Sequence, residues 1–185
     1  VLAIAGCGEV KDAPIDAPPD DAQSDGPTDG PAAACDVTKP FGAAVVVPNL
    51  HNAAFNDTHA TLSADEKTVF FASDRNGDTV GGAPVFHIFS ATRASATAAF
   101  GPPALVGSLF STEGESHPTT SADGNTVIFD SFRPGTAGSV VHLFTATRSN
   151  VAVDFQPANQ LNTEPLIQPA LTKDGSLLYA ANLSF

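Results

Sequence analysis

The chain contains no methionine, no tryptophan and only 1 tyrosine, and its 8 lysines and arginines face 20 aspartates and glutamates. The missing Met and Trp carry no functional reading. The shortage of cations does. A chain of net charge −12 offers no patch that could neutralise phosphates, which excludes nucleic acid as a partner. There are 2 cysteines, and neither stands at metal-ligand spacing. Catalytic signatures are missing as well. No Gly-x-Ser-x-Gly elbow, His-Glu-x-x-His pair, phosphate-cradling glycine loop or supported cysteine–histidine pair occurs. No catalytic residue, metal or cofactor is therefore expected.

The acidity that is present is unevenly placed. Residues 8–35 hold Glu9, Asp12, Asp16, Asp20, Asp21, Asp25 and Asp29 against Lys11, which is −6 of the total −12. They include no aromatic residue, and Pro14, Pro18, Pro19, Pro27 and Pro31 break any helix. So few apolar groups cannot offset the entropy of ordering, and the stretch reads as an extended, disordered tether.

Ahead of it, VLAIAGC is an apolar run too short to span a bilayer. Its end, Ile4-Ala5-Gly6-Cys7, resembles a bacterial lipobox with Cys7 as the acylated residue. Small side chains at Ala5 and Gly6 let a signal peptidase approach the backbone, and the Cys7 thiol can take a diacylglyceryl group. With no initiator Met and no basic segment before it, the run reads as the end of a signal peptide. The alternative is an apolar segment with an incidental cysteine. The lipobox implies a membrane partner through the anchor at Cys7 and a cell-envelope location, with Gly8 pointing to the outer membrane. Cys35 is then free or paired elsewhere. A Cys7–Cys35 disulfide, which export would permit, would close a loop in the tether and stabilise no core.

The most informative feature that is present is a repeat. HATLSADEKTVFFASDR, from His59, returns from His117 as HPTTSADGNTVIFDSFR and from Gln168 as QPALTKDGSLLYA. A period of roughly 50 to 60 residues signals a stacked or radial array whose units need neighbours to bury their apolar faces. Each copy has a short segment, a turn at Asp65, Asp123-Gly124 or Asp174-Gly175, and a β-rich run apolar on both parities. A polar turn with Arg75 or Arg133 leads to a third strand at residues 85–89 or 140–144, and each of these is followed by Ala-Thr-Arg. A last element begins at Phe100 or Phe155, and Phe41 opens an earlier partial unit.

Four short strands per unit without helical periodicity predict an all-β fold: a partial β-propeller of four-stranded antiparallel blades, preceded by the disordered tether. A β-sandwich needs similar strands but not an in-phase repeat. The expected boundaries are 1–7, 8–35 and 36–185, with blades near 59–116, 117–167 and 168–185.

These residues resemble the WD40-like repeats of TolB-type bacterial propellers. Pro118, Ser121, Asp123, Gly124, Ser131 and Arg133 carry the pattern in the second copy, and Ser63, Asp65, Ser73 and Arg75 in the first, where Ala60 and Glu66 replace the proline and glycine. The third copy keeps Pro169, Asp174 and Gly175 but has Thr172 for the serine. The resemblance implies a propeller of six to eight blades, more than this chain supplies, so the chain is expected to be part of a longer protein. All of these motif residues are expected to be structural.

The histidines recur in pairs (His59 with His117, His87 with His142), and equivalent positions on different blades are expected to be spread apart. Asp74-Arg75-Asn76-Gly77-Asp78 is like the start of a calcium loop but lacks its later glutamate, so it reads as a hairpin turn. Arg75, Arg133, Arg93 and Arg148 are expected to pair with turn carboxylates or strand-end carbonyls, a ligand-facing role for one of them being the alternative. The function expected is non-catalytic binding of a protein, peptide or glycan by an envelope lipoprotein. Loops 76–83 and 134–139 differ most between copies and are the expected contacts. The rival readings are a gating propeller of a peptidase and a structural role in envelope integrity.

Overall fold

The computed structural model describes residues 44–134, 140–172 and 174–182, with the backbone of Ala3–Ile4. Cys7, Cys35, Phe41 and the tether of 8–35 lie outside the described residues. The chain divides into a unit of Ala3–Val45 and a larger one containing Val46–Phe185. In the smaller unit the described residues are Ala3, Ile4, Ala44 and Val45, and the account below concerns the larger.

The larger unit is all-β and is built from antiparallel meanders. Strands β1 (Asp57–Leu62), β2 (Thr68–Ser73), β3 (His87–Thr92) and β4 (Ala104–Leu105) pair in chain order as one four-stranded sheet. Strands β5 (Glu115–Thr120), β6 (Thr126–Ser131), β7 (His142–Thr147) and β8 (Asn159–Gln160) repeat that sheet. A hairpin of β9 (Leu166–Leu171) and β10 (Leu178–Asn182) follows. A minor hairpin, Thr79–Val80 with Ala83–Pro84, projects between β2 and β3. Among the described residues the helical content is one 3-10 turn, Gly107–Leu109.

The middle strands explain the stacking. Five consecutive residues of β2, Val69 to Ser73, are buried, and so are the equivalent five of β6. Alternate side chains point to opposite faces, so such a strand must be covered on both sides. Phe70 and Ile88 of the first sheet pack with Val127, Phe129, Phe144, Ala146 and Phe155 of the second, around Leu109. Their alternates Val69, Phe71, Phe89 and Ala91 face the other way, onto Leu50 and Phe100. Register places Phe71 opposite Phe89 and Phe129 opposite Phe144, giving stacked ring pairs with centroids 6.2 and 6.1 Å apart. Burying each such ring stabilises the fold by about 1.5–3 kcal/mol.

The Ser-x-Asp-Gly turns are built alike. In the second copy the Ser121 hydroxyl donates to Asp123 Oδ1 at 2.6 Å and accepts Thr126 N–H at 2.9 Å, while Asp123 Oδ1 accepts Asn125 N–H at 3.0 Å. Ser63 with Asp65, and Thr172 with Asp174, make the same contacts. Thr172 thus replaces serine without loss. Gly124 and Gly175 take φ of +67° and +70°, and Glu66 takes +56° at the same place, so the first turn forms despite its missing glycine.

Hydrogen bonds from the serine or threonine hydroxyl, then from backbone N–H, lower the pKa of Asp65, Asp123 and Asp174, the last to about 2. A carboxylate depressed in the folded state adds stability that is present above its ordinary pKa. For Asp174 that contribution fades as the pH falls from 3.8 through about 2.

The repeat proline has a structural reason. Register shifts in β1, β5 and β9 leave His59-Ala60, His117-Pro118 and Gln168-Pro169 as bulges opposite single residues of the neighbouring strand. The first residue of each takes positive φ (52°, 48° and 54°). A proline in the second place costs no ladder bond, which is where sheets accept it. Ala60 occupies that place in the first copy. Ala60→Pro is therefore expected to stabilise the protein by about 0.4–1 kcal/mol by restricting the unfolded chain, read as a higher midpoint in urea unfolding.

Candidate functional site

One arginine clips each sheet to the segment before it. Arg133 donates through Nη2 to Glu115 Oε1 at 2.7 Å and to the Leu109 carbonyl, and through Nε to Ser131 Oγ at 3.2 Å. Its guanidinium lies over the rings of Phe129 and Phe144, 5.1 and 5.0 Å from their centroids. Arg75 repeats this with Asp57 Oδ1 (2.5 Å), the Leu50 carbonyl (2.9 Å) and Ser73 Oγ (3.0 Å), over Phe71 and Phe89. The Ser-x-Arg motif is thus a device that holds strands together. Arg93 and Arg148 reach instead to turn carbonyls, at Glu66 and Gly124, and cover Phe100 and Phe155. Partial burial lowers the Arg148 pKa, with Asp123 and Asp154 opposing.

Glu115 is the centre of the second clip. Its side chain is fully buried; besides Arg133 it accepts a hydrogen bond from Ser111 Oγ (2.5 Å) and lies 3.0 Å from His87 Nδ1. The other nitrogen of His87 lies 3.1 Å from Asp78 Oδ2. Both ring nitrogens therefore face carboxylates, with no hydroxyl at Nε2 for a nucleophile–base pair. The repeat-equivalent His142 has different surroundings, with Nδ1 3.1 Å from the Glu164 carbonyl.

Above this network lies an apolar groove of about 400 Å³, lined by Val80, Ala83, Pro84, Val85, Phe86 and Phe132 with Glu113, Gly114 and Asp130. Loop 76–83, singled out in the sequence, forms one wall; of 134–139, only Pro134 is described. Phe132 and Val80 are 57% and 56% exposed, so the groove presents large apolar groups to solvent. Its floor is a close approach of the two sheets. Glu115 N–H donates to the Phe86 carbonyl at 2.8 Å, and Ser131 Oγ donates to the Gly114 carbonyl at 2.6 Å. Gly114 has φ +87°, and a Cβ there would sit 2.5 Å from Val85 Cγ1 and 2.8 Å from the Phe86 carbonyl oxygen.

The carboxylates of the calcium-like segment diverge. Asp74 accepts Asn56 N–H and Nδ2–H at 2.8 and 2.7 Å, while Asp78 turns to His87 and Asn76. Among the described residues no three His, Cys, Asp or Glu side chains converge on a metal position.

One expectation fails. The repeat-equivalent His59 and His117 are not spread apart: their ring centroids are 3.6 Å from each other. They sit on β1 and β5, the first strands of the two sheets, which lie against each other, so equivalent positions converge instead of diverging. With Pro118, Gln168 and Pro169 they line a hollow of about 340 Å³. His117 Nδ1 lies 2.8 Å from Asp130 Oδ2, within ion-pair range but out of line for a hydrogen bond.

The buried carboxylates Asp57, Glu115 and Asp130 were not singled out in the sequence. A signal for two of them was present: Asp57 and Glu115 each stand two residues before the repeat histidine and eighteen before the repeat arginine. Asp130 had none, because its counterpart Ala72 is apolar.

The floor yields a test. Gly114→Ala is expected to destabilise the protein by about 2–5 kcal/mol, through left-handed strain and the clash with Val85 and Phe86. Gly124→Ala, where the nearest atoms are 3.6 Å away, is expected to cost only the strain, about 1–2 kcal/mol. Urea unfolding of the two variants measures the difference.

Compared with protein-family models and with curated proteins, the chain matches none, so its functional reading rests on its own residues.

Proposed function

We propose that this chain is a binding module of the bacterial cell envelope, tethered by a lipid at Cys7, in which the two four-stranded meanders are successive blades of a TolB-like β-propeller. The blade reading is supported by the in-phase repetition of the meander, by face-to-face packing through Phe70 and Phe129, and by the adjacency of the inner strands. The anchor reading is supported by Ile4-Ala5-Gly6-Cys7 and the acidic, proline-rich stretch after it. Gly8 favours the outer membrane.

The observation that carries the binding function is the open apolar groove at the junction of the two sheets. Its exposed apolar side chains accompany the acidic Glu113, and among the described residues no lysine or arginine lines it. A peptide segment with an apolar side chain next to a basic one fits that surface. An apolar group excludes water from Val80 and Phe132, and a cation meets the acidic rim. The nearby Arg133 is already engaged by Glu115 and takes no part.

Panning a random heptapeptide library against the protein tests the reading. Enriched sequences are expected to join an apolar residue to lysine or arginine, and Phe132→Asp is expected to weaken their binding at least tenfold. Failure to enrich any sequence, or undiminished binding to the variant, would overturn the groove assignment. The anchor is tested separately. A labelled fatty acid fed to a bacterial host is expected to enter the wild-type protein and not Cys7→Ser; equal labelling of both would remove Cys7 as the anchor.

A further inference from the structure

The contact between His59 and His117 is separate from the clips and from the proposed anchor, and shares Asp130 and Ser116 with the lining of the groove. Both residues are held in the left-handed region, at φ +52° and +48°, by the bulges of their strands. The bulge turns each imidazole toward the junction, and the rings meet at 3.6 Å with planes 43° apart. Ser116 Oγ lies 3.4 Å from His59 Nδ1, and Asp130 Oδ2 lies 2.8 Å from His117 Nδ1. Asp130 also accepts Gln168 N–H from β9 at 2.9 Å. The three inner strands therefore meet around one carboxylate and two imidazoles.

We infer that the His59–His117 stack is an acid-sensitive joint between the two sheets, closed while at least one ring is neutral and loosened when both are protonated. The surroundings of the two rings differ. Asp130 stands beside His117, while His59 rests on the His117 ring and has the Ser116 hydroxyl near its Nδ1. Across 3.6 Å two cations repel strongly even in a partly solvated setting.

The charge state of His59 follows the same geometry. The residue is exposed overall, but the ring loses solvent where it lies on His117. That desolvation lowers its pKa, His117 lowers it further, and Asp130 raises it in part. A base depressed in the folded state binds fewer protons there than in the unfolded chain. Its contribution to stability is therefore present above 6.5 and is lost as the pH falls through the folded value. Among the described groups facing the pair, Asp130 carries the opposing charge.

An NMR titration of the histidine ring protons in the full chain, from pH 8 to 4.5, tests the joint. His59 is expected to titrate below 6.5. In His117→Gln the His59 midpoint is expected to rise, and in Asp130→Asn to fall, opposite signs that a general loosening of the fold would not produce. Amide exchange at Thr61 and Thr119, corrected for its intrinsic pH dependence, is expected to quicken at least threefold between pH 7 and 5 in the wild type but not in His59→Gln. A wild-type His59 midpoint at or above 6.5, one unmoved by His117→Gln, or exchange that quickens equally in His59→Gln would overturn the inference. The wild-type titration stands even if a variant fails to fold.

Discussion

The structure depends on the buried ion pair that joins each repeat arginine to the start of its own sheet. Asp57 and Glu115 are wholly buried carboxylates, and burial of a lone carboxylate is too costly for a fold of ordinary stability. Arg75 and Arg133 resolve this with one guanidinium each. It meets the carboxylate, a carbonyl of the preceding segment and the serine two residues before it, and its face covers two phenylalanines. Removing either partner would leave a buried charge unpaired, which costs about 3–5 kcal/mol. The first strand of each sheet, the loop before it and the aromatic pair are therefore coupled through one side chain. Leu50 and Leu109 are buried where their carbonyls meet that side chain.

The groove follows from the same coupling. Glu115 starts β5 and is tied to Arg133 below, while its N–H is tied to Phe86 of the first sheet. Gly114 must then pass within contact distance of Val85, and no larger residue fits at its φ. Beneath the groove Glu115 engages both His87 and Arg133, and the open side is left apolar with an acidic rim. The chemistry of that surface differs from that of the buried network under it. The contact between β1 and β5 is different again. There the bulges, with their backbone at positive φ, bring polar rings of successive repeats together.

Much of the architecture was legible in the chain. The repeat, the strands at 68–72 and 126–129, and the turns at Asp65, Asp123 and Asp174 follow from local patterning. A run apolar on both parities flanked by turn residues has few ways to bury itself. The resemblance to propeller repeats concerned the same residues. Of the site, loop 76–83 was legible because its length and composition depart from the other copies. Gly114 was not, because its role depends on Val85 and Phe86 from another sheet. Asp130 was not, because nothing in TVIFDS distinguishes a buried aspartate from a strand-end polar residue.

The sequence by itself determined the units, their strands and their turns, since hydrophobic parity, β-branched content and Ser-x-Asp-Gly chemistry act within a few residues. It also determined the uneven charge, with half of the net −12 in residues 8–35. Only the tertiary structure decided that Arg133 pairs with Glu115 and that His59 rests on His117. It also decided that the apolar wall of loop 76–83 faces Phe132. These contacts join residues 18 to 58 positions apart, at distances set by how strands return within a sheet and how one sheet lies on the next. Sheet stacking is the sum of many weak, non-directional apolar contacts, and no single residue records its outcome.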